Sequence, residues 1–210
     1  MKLILISSSE KHAEKEIVQV NKMFELGLEN FHLRKPKYTT RELSQYISAI
    51  PAHFHNRIII HSHHKLVFRY NLKGIHLTRI HRKRKLRQWF IMRRIALMKP
   101  HLLTTTSFRK LANLYEEPAK YSYVFLSPIF DSLSGKYQSG FNEFSLKAAM
   151  EKTPHRVIAR GGMDPSRIEK SKEIGFAGIA FYSSIWKKDD PVAEYIRTLE
   201  QFRALGIKPE

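Results

Sequence analysis

The stretch from Arg156 to Ser184 begins Arg156-Val157-Ile158-Ala159-Arg160-Gly161-Gly162-Met163-Asp164-Pro165 and ends Gly178-Ile179-Ala180-Phe181-Tyr182-Ser183-Ser184. It contains one complete strand–helix–strand unit. Arg156 to Ala159 is an apolar strand. Pro165 to Ile174 is a helix, with Asp164 at its N-cap and Pro165 at the first helical position, where a missing N–H costs nothing. Gly178 to Tyr182 is the next strand, and the serines after it open a short helix.

The same alternation extends upstream. Strands are expected at Leu3 to Ser7, Phe31 to Arg34, Arg57 to His61, Gly74 to Leu77, His101 to Thr105 and Tyr123 to Leu126. Helices are expected at Ala13 to Leu26, with Ile17, Val18, Met23 and Phe24 buried, and at Thr40 to Ile50, capped by Thr39 or Thr40. Others fall at Lys65 to Tyr70, about 83 to 94, Phe108 to Leu114, Phe144 to Met150 and Pro191 to Leu205. The run Ile58-Ile59-Ile60 has no polar alternation, as expected of a parallel strand covered on both faces. Eight strands, each followed by a helix, imply an α/β protein: a (β/α)8 TIM barrel, single domain, spanning residues 1–210. An open doubly wound sheet is the alternative, but no glycine-rich fingerprint follows the first strand.

Composition narrows the function. The chain has 210 residues, 42% of them hydrophobic, enough for a sizeable core. No apolar run approaches the ~18 residues of a membrane span. The four-residue apolar run Leu3 to Ile6 is shorter than a signal-peptide core and reads as a strand. Cysteine is absent, which excludes disulfides, thiol catalysis and Cys-ligated metals, and fits a cytoplasmic protein. The net charge is +18, concentrated in His81-Arg82-Lys83-Arg84-Lys85-Leu86-Arg87 with Arg93 and Arg94. Nucleic-acid binding is one reading; a solvated basic helix that attracts anionic substrates is the favoured one. No nucleic-acid motif accompanies the charge, and Trp89-Phe90-Ile91 fits a buried helix face.

In such a barrel the strand C-termini build the site. Those ends carry Arg34, His61, His76 to Thr78, Thr104 to Thr106, Ser127, Gly161-Gly162 and Ser183-Ser184, a basic and hydroxyl-rich rim suited to phosphate. Gly161 and Gly162 let backbone N–H groups approach a ligand, and Ser183 and Ser184 offer hydroxyls at a helix start. His32 and Arg34 alternate and share a strand face; Arg34 can hold a phosphate bidentately. The loop after the sixth strand offers Ser132, Ser134 and Lys136 to close over a phosphate ester or diphosphate. His61, His63, His64, His76 and His81 raise zinc ligation, but with no carboxylate or cysteine beside them a structural or solvated role is preferred.

These motifs together resemble the thiamine phosphate synthase and TenI family from end to end. The resemblance rests on Phe31-His32-Leu33-Arg34, Ile58-Ile59-Ile60-His61, Gly74-Ile75-His76-Leu77, Leu126-Ser127-Pro128-Ile129-Phe130, Ala159-Arg160-Gly161-Gly162-Met163 and Gly178-Ile179-Ala180-Phe181-Tyr182-Ser183. It implies a transferase of thiamine biosynthesis that joins a hydroxymethylpyrimidine diphosphate to a thiazole phosphate and releases diphosphate with the help of Mg2+. By position, Arg34 would hold the diphosphate, with Ser132, Ser134 and Lys136 from the loop as catalytic groups. Gly161, Gly162, Ser183 and Ser184 would hold the thiazole phosphate, and His32, His61, Ser62 and His76 would line the substrate site. The implied partners are phosphorylated thiazole and pyrimidine small molecules, with a homodimer left open, and neither a membrane nor a nucleic acid is expected. The sequence departs from the family where magnesium should bind. The family's two Asp positions fall at Ser62 and at about His81, so the metal ligands are missing. A TenI-like thiazole tautomerase, or a thiazole-phosphate-binding paralogue, is the alternative; the tautomerase histidine position holds Ser127.

Overall fold

Ile58, Ile59 and Ile60 are all fully buried, but in two different places. Ile58 and Ile60 pack outward with the helices, and Ile59 packs inward with Ile4, Ile6, Tyr123, Phe125, Ile158 and Ala180. A strand covered on both faces gains nothing from polar alternation, which is why this run is uniformly apolar.

The computed structural model describes residues 1–83, 85–118, 120–131 and 140–210. Its strands are β1 (Lys2–Ile6), β2 (Phe31–Leu33), β3 (Ile58–Ile60), β4 (Gly74–Leu77), β5 (Leu103–Phe108), β6 (Tyr123–Leu126), β7 (Val157–Arg160) and β8 (Gly178–Phe181). Every neighbouring pair is parallel, and β8 returns to β1, so the sheet closes as a (β/α)8 barrel. The outer layer comprises α1 (Glu14–Glu25), α2 (Thr40–Ser48), α3 (Arg79–Lys83), α4 (Lys85–Met98), α5 (Asn113–Glu116), α6 (Glu143–Lys152), α7 (Ile168–Ile174), α8 (Ser183–Trp186) and α9 (Pro191–Ala204). Short 3₁₀ turns stand at Ala52–Arg57, His64–Phe68 and Pro165–Arg167.

Local chemistry sets several boundaries. Thr39 caps α2 in a reciprocal box with Glu42, each side chain satisfying the other's backbone N–H. The Asp164 carboxylate accepts from Ser166 N at 2.8 Å, and Asp190 accepts from Val192 N and Ala193 N to start α9. No helix among the described residues is long and apolar enough to cross a membrane.

Three expectations are corrected. Phe108 ends β5 instead of opening a helix, because β5 pairs with β6 as far as Phe108↔Leu126. Val18 is 57% exposed, whereas α1 buries Glu16, Val20, Met23 and Phe24. The charged Glu16 takes the inward position because Lys35 meets it there. Trp89 and Phe90 are 52% and 66% exposed; α4 turns Ile95 inward, with Ile91 and Met92 half-buried. A buried aromatic face on this helix therefore no longer counts against nucleic-acid binding.

Candidate active site

Strand alternation sends every second side chain into the barrel. His32 of β2, His61 just past β3 and His76 of β4 follow one another round the interior. They are 0%, 5% and 2% exposed. His32 Nδ1 lies 2.9 Å from His61 Nε2, and His32 Nε2 lies 2.6 Å from the Tyr123 hydroxyl. His61 and His76 stack with ring centroids 4.1 Å apart. His76 Nδ1 meets Thr105 Oγ1 at 2.9 Å, and its Nε2 meets Ser107 Oγ at 3.1 Å. Phe125 closes the floor, edge-on to His32.

Burial holds all three imidazoles well below their ordinary pKa, and neighbouring positive charge, including that of Arg160, adds to it. Burial likewise raises the Tyr123 phenol. The layer is therefore neutral, polar and buried.

Cations stand above it. Arg34, exposed, follows β2 on the same face as His32. Its backbone is pinned by Ser7, whose hydroxyl accepts from Arg34 N at 2.8 Å and donates to Arg34 O at 3.2 Å. Arg160 ends β7, two residues beyond the inward-facing Ile158. Burial, with the charges of Arg34 and Arg109, lowers its guanidinium to about 10. Among the described residues none of these three arginines has a carboxylate partner. An anion in the mouth would relieve their mutual repulsion.

The loops after β7 and β8 are adjacent because the two strands pair, with Arg160 opposite Ala180. Gly161 and Gly162 have φ of +92° and +65°. They also have a packing duty: a Cβ on Gly162 would lie 2.3 Å from Asp131 O, and one on Gly161 would lie 3.0 Å from Pro128 Cα. Ile129 N and Phe130 N donate to Arg160 O and Gly161 O at 3.0 and 3.2 Å, docking the loop after β6 on this turn. Ser183 and Ser184 open α8, and the buried Ser184 hydroxyl has no hydrogen-bond partner among the described residues.

The other candidates are scattered. Lys35 is buried and makes a 2.5 Å ion pair with Glu16, which also accepts from Tyr46 at 2.8 Å. Lys35 thus ties the loop after β2 to α1. Burial still pushes the Glu16 carboxyl up, against the pull of Lys35. Ser62 is half-buried on the β3 loop. His63 leaves the interior, bonding Tyr38 O and Thr40 Oγ1 at 2.8 Å each. His64 packs on His81, its ring lowered to about 3 chiefly by burial. The histidines grouped by sequence proximity therefore separate, and His32 joins His61 and His76 instead. Thr105 stands among the rim residues read from the sequence; Arg109, Arg160, Ser107 and Tyr123 were not singled out there. The period-2 pattern could have found Arg160, since Ile158 faces inward. Ser132, Ser134 and Lys136 lie outside the described residues.

Mg2+ takes oxygen ligands. Among the described residues the one cluster with ligand spacing is His32, His61 and His76, all nitrogen donors. That set does not fit Mg2+.

A closed parallel barrel with a cationic mouth over a neutral polar floor defines a (β/α)8 protein whose strand ends are suited to an anionic ligand. The family model described as thiamine monophosphate synthase (TMP-TENI) matches residues 3–185, and the chain belongs to that family. Among solved structures it is similar to a thiamine phosphate pyrophosphorylase from Bacteroides thetaiotaomicron, with 25% identity and a TM-score of 0.72 over 99% of this chain and 100% of that one. It is also similar to the thiamine phosphate pyrophosphorylase from Pyrococcus furiosus, with 16% identity and a TM-score of 0.73 over 97% and 96% of the two chains. A 3-hexulose-6-phosphate synthase shares the fold at 15% identity and a TM-score of 0.67, over 99% of this chain and 100% of that one. No curated protein matches in sequence.

Proposed function

We propose that this chain joins a hydroxymethylpyrimidine diphosphate to a thiazole phosphate and releases diphosphate. The bond between the pyrimidine methylene carbon and the diphosphate oxygen breaks, and the leaving diphosphate keeps the electron pair. The thiazole nitrogen then attacks the methylene cation. Such a reaction needs positive charge around the leaving group more than it needs a nucleophile. The observation that carries this reading is the meeting of Arg34, Arg109 and Arg160 charges at the mouth of a barrel of this family. Arg34 and Arg160 hold the diphosphate, with Ser132, Ser134 and Lys136 as its further catalytic partners. Gly161, Gly162, Ser183 and Ser184 receive the thiazole phosphate, and the Ser184 hydroxyl, which has no hydrogen-bond partner among the described residues, supports that assignment.

The test is to supply both phosphorylated substrates and measure thiamine phosphate. Product is expected, and Arg160→Met is expected to lower kcat/KM by roughly 10²–10³-fold, the usual effect of removing one charge-stabilising donor. No product, while a known synthase works beside it, overturns the proposal. One observation favours a second reading, a thiazole-phosphate-binding paralogue or tautomerase: the family's two carboxylate positions, which fall at Ser62 and at about His81, carry no carboxylate. Calorimetry showing thiazole phosphate bound without product formation would select that reading.

A further inference from the structure

We infer that His32, His61 and His76 form a site for a zinc-type divalent transition metal, with one open coordination position toward the barrel mouth. One ring nitrogen from each lies within 4.8 Å of the other two. Tetrahedral Zn2+ with bonds of ~2.0–2.1 Å to imidazole needs its ligand nitrogens about 3.3 Å apart. The 2.9 Å between His32 Nδ1 and His61 Nε2 is already of that order.

The surroundings already resemble those of a metal-binding histidine set, whose outer nitrogens are normally held by hydrogen-bond acceptors. Thr105 Oγ1 spends its hydrogen on Ile75 O at 3.4 Å, so it accepts from His76 Nδ1 and leaves His76 Nε2 as a base. Tyr123 holds His32 Nε2, which directs His32 Nδ1 toward His61 Nε2. Metal entry requires that the proton shared by those two nitrogens move to an outer ring nitrogen, and that Ser107 Oγ, 3.1 Å from His76 Nε2, release that nitrogen. All three rings remain neutral, which is the ligating form. Imidazole donors select zinc, copper, iron or nickel over magnesium.

Charge decides what fills the fourth position. A dication beneath Arg34 and Arg160 is unfavourable alone, and an anionic oxygen of a phosphate or diphosphate offsets both. Three histidines plus an exchangeable ligand is the usual pattern of a zinc site that meets substrate. The inference rests on the rings and their partners, and it holds whether or not the chain makes thiamine phosphate.

The experiment uses the full chain, stripped with chelator and titrated with Co2+ and Zn2+. One equivalent is expected, with the visible absorption of tetrahedral Co2+. His61→Asn and His76→Gln are expected to abolish stoichiometric binding, and Tyr123→Phe to weaken it about 10–100-fold. His101→Gln, at an exposed histidine far along the chain from the cluster, should bind like the parent. Inorganic phosphate should change the Co2+ spectrum. X-ray absorption of the zinc form of the parent chain should show three imidazoles and one oxygen, independently of whether any variant folds. Absence of one bound equivalent, binding undiminished in both folded histidine variants, or a different ligand set overturns the site. A Co2+ spectrum indifferent to phosphate overturns the open position.

Discussion

Glu16 is a charged residue at a helix position where only 5% of its surface is exposed, and Lys35 opposite it is 1% exposed. Neither position reads as core in the sequence, since charged groups are almost never fully buried without a partner. Together they anchor the loop that leads from Arg34 into α2. Removing one member strands the other charge in the interior. Glu16→Gln should therefore destabilise the protein by about 3–5 kcal/mol, and Glu16→Gln/Lys35→Met should recover much of the loss. Urea unfolding of the two variants checks this. A single variant within about 1 kcal/mol of the parent would show that the pair is not what holds the loop.

At the scale of the element, the turn after β7 does two things at once. Its positive φ angles need glycine, and its neighbours leave no room for a Cβ. The sequence reading took Gly161 and Gly162 as openings for a phosphate. The structure adds that they are also the seat on which the loop after β6 docks. Gly162→Ala should cost at least ~1–3 kcal/mol through backbone strain, plus the displacement of Asp131. It should loosen the loop after β6, read as faster amide exchange at Ile129 and Phe130. Unchanged exchange and stability would refute the docking role. α4 makes the complementary point. Its basic and aromatic composition was plain in the sequence, but which face turned inward was not, because Ile91, Met92 and Ile95 competed with Trp89 and Phe90 for the barrel wall.

Across the whole molecule, a net charge of +18 surrounds a mouth where the charges of Arg34, Arg109 and Arg160 already meet. Long-range attraction of this kind is screened within about 10 Å at 0.1 M salt. The dissociation constant for inorganic diphosphate should therefore rise severalfold between low and moderate salt, as measured by calorimetry. An affinity independent of salt would mean that the charge excess serves some other end, and the exposed Trp89 and Phe90 beside Arg93 and Arg94 would then be the surface to examine with RNA and DNA.

The sequence by itself determined the barrel. Eight strand–helix units are a local, repeated signal, and a parallel sheet of that count closes on itself. It also determined the turn glycines and the rim hydroxyls, because both follow from position at a strand end. It could not determine which histidines meet. His32, His61 and His76 are far apart in the chain, and whether they share a layer depends on strand register. That register, with His32 opposite Ile59 and His76 opposite Thr105, is settled by closure of the whole sheet. The convergence of Arg34, Arg109 and Arg160 has the same origin. Strands two, five and seven come together only around a closed barrel, so the charge of its mouth is a property of the tertiary structure alone.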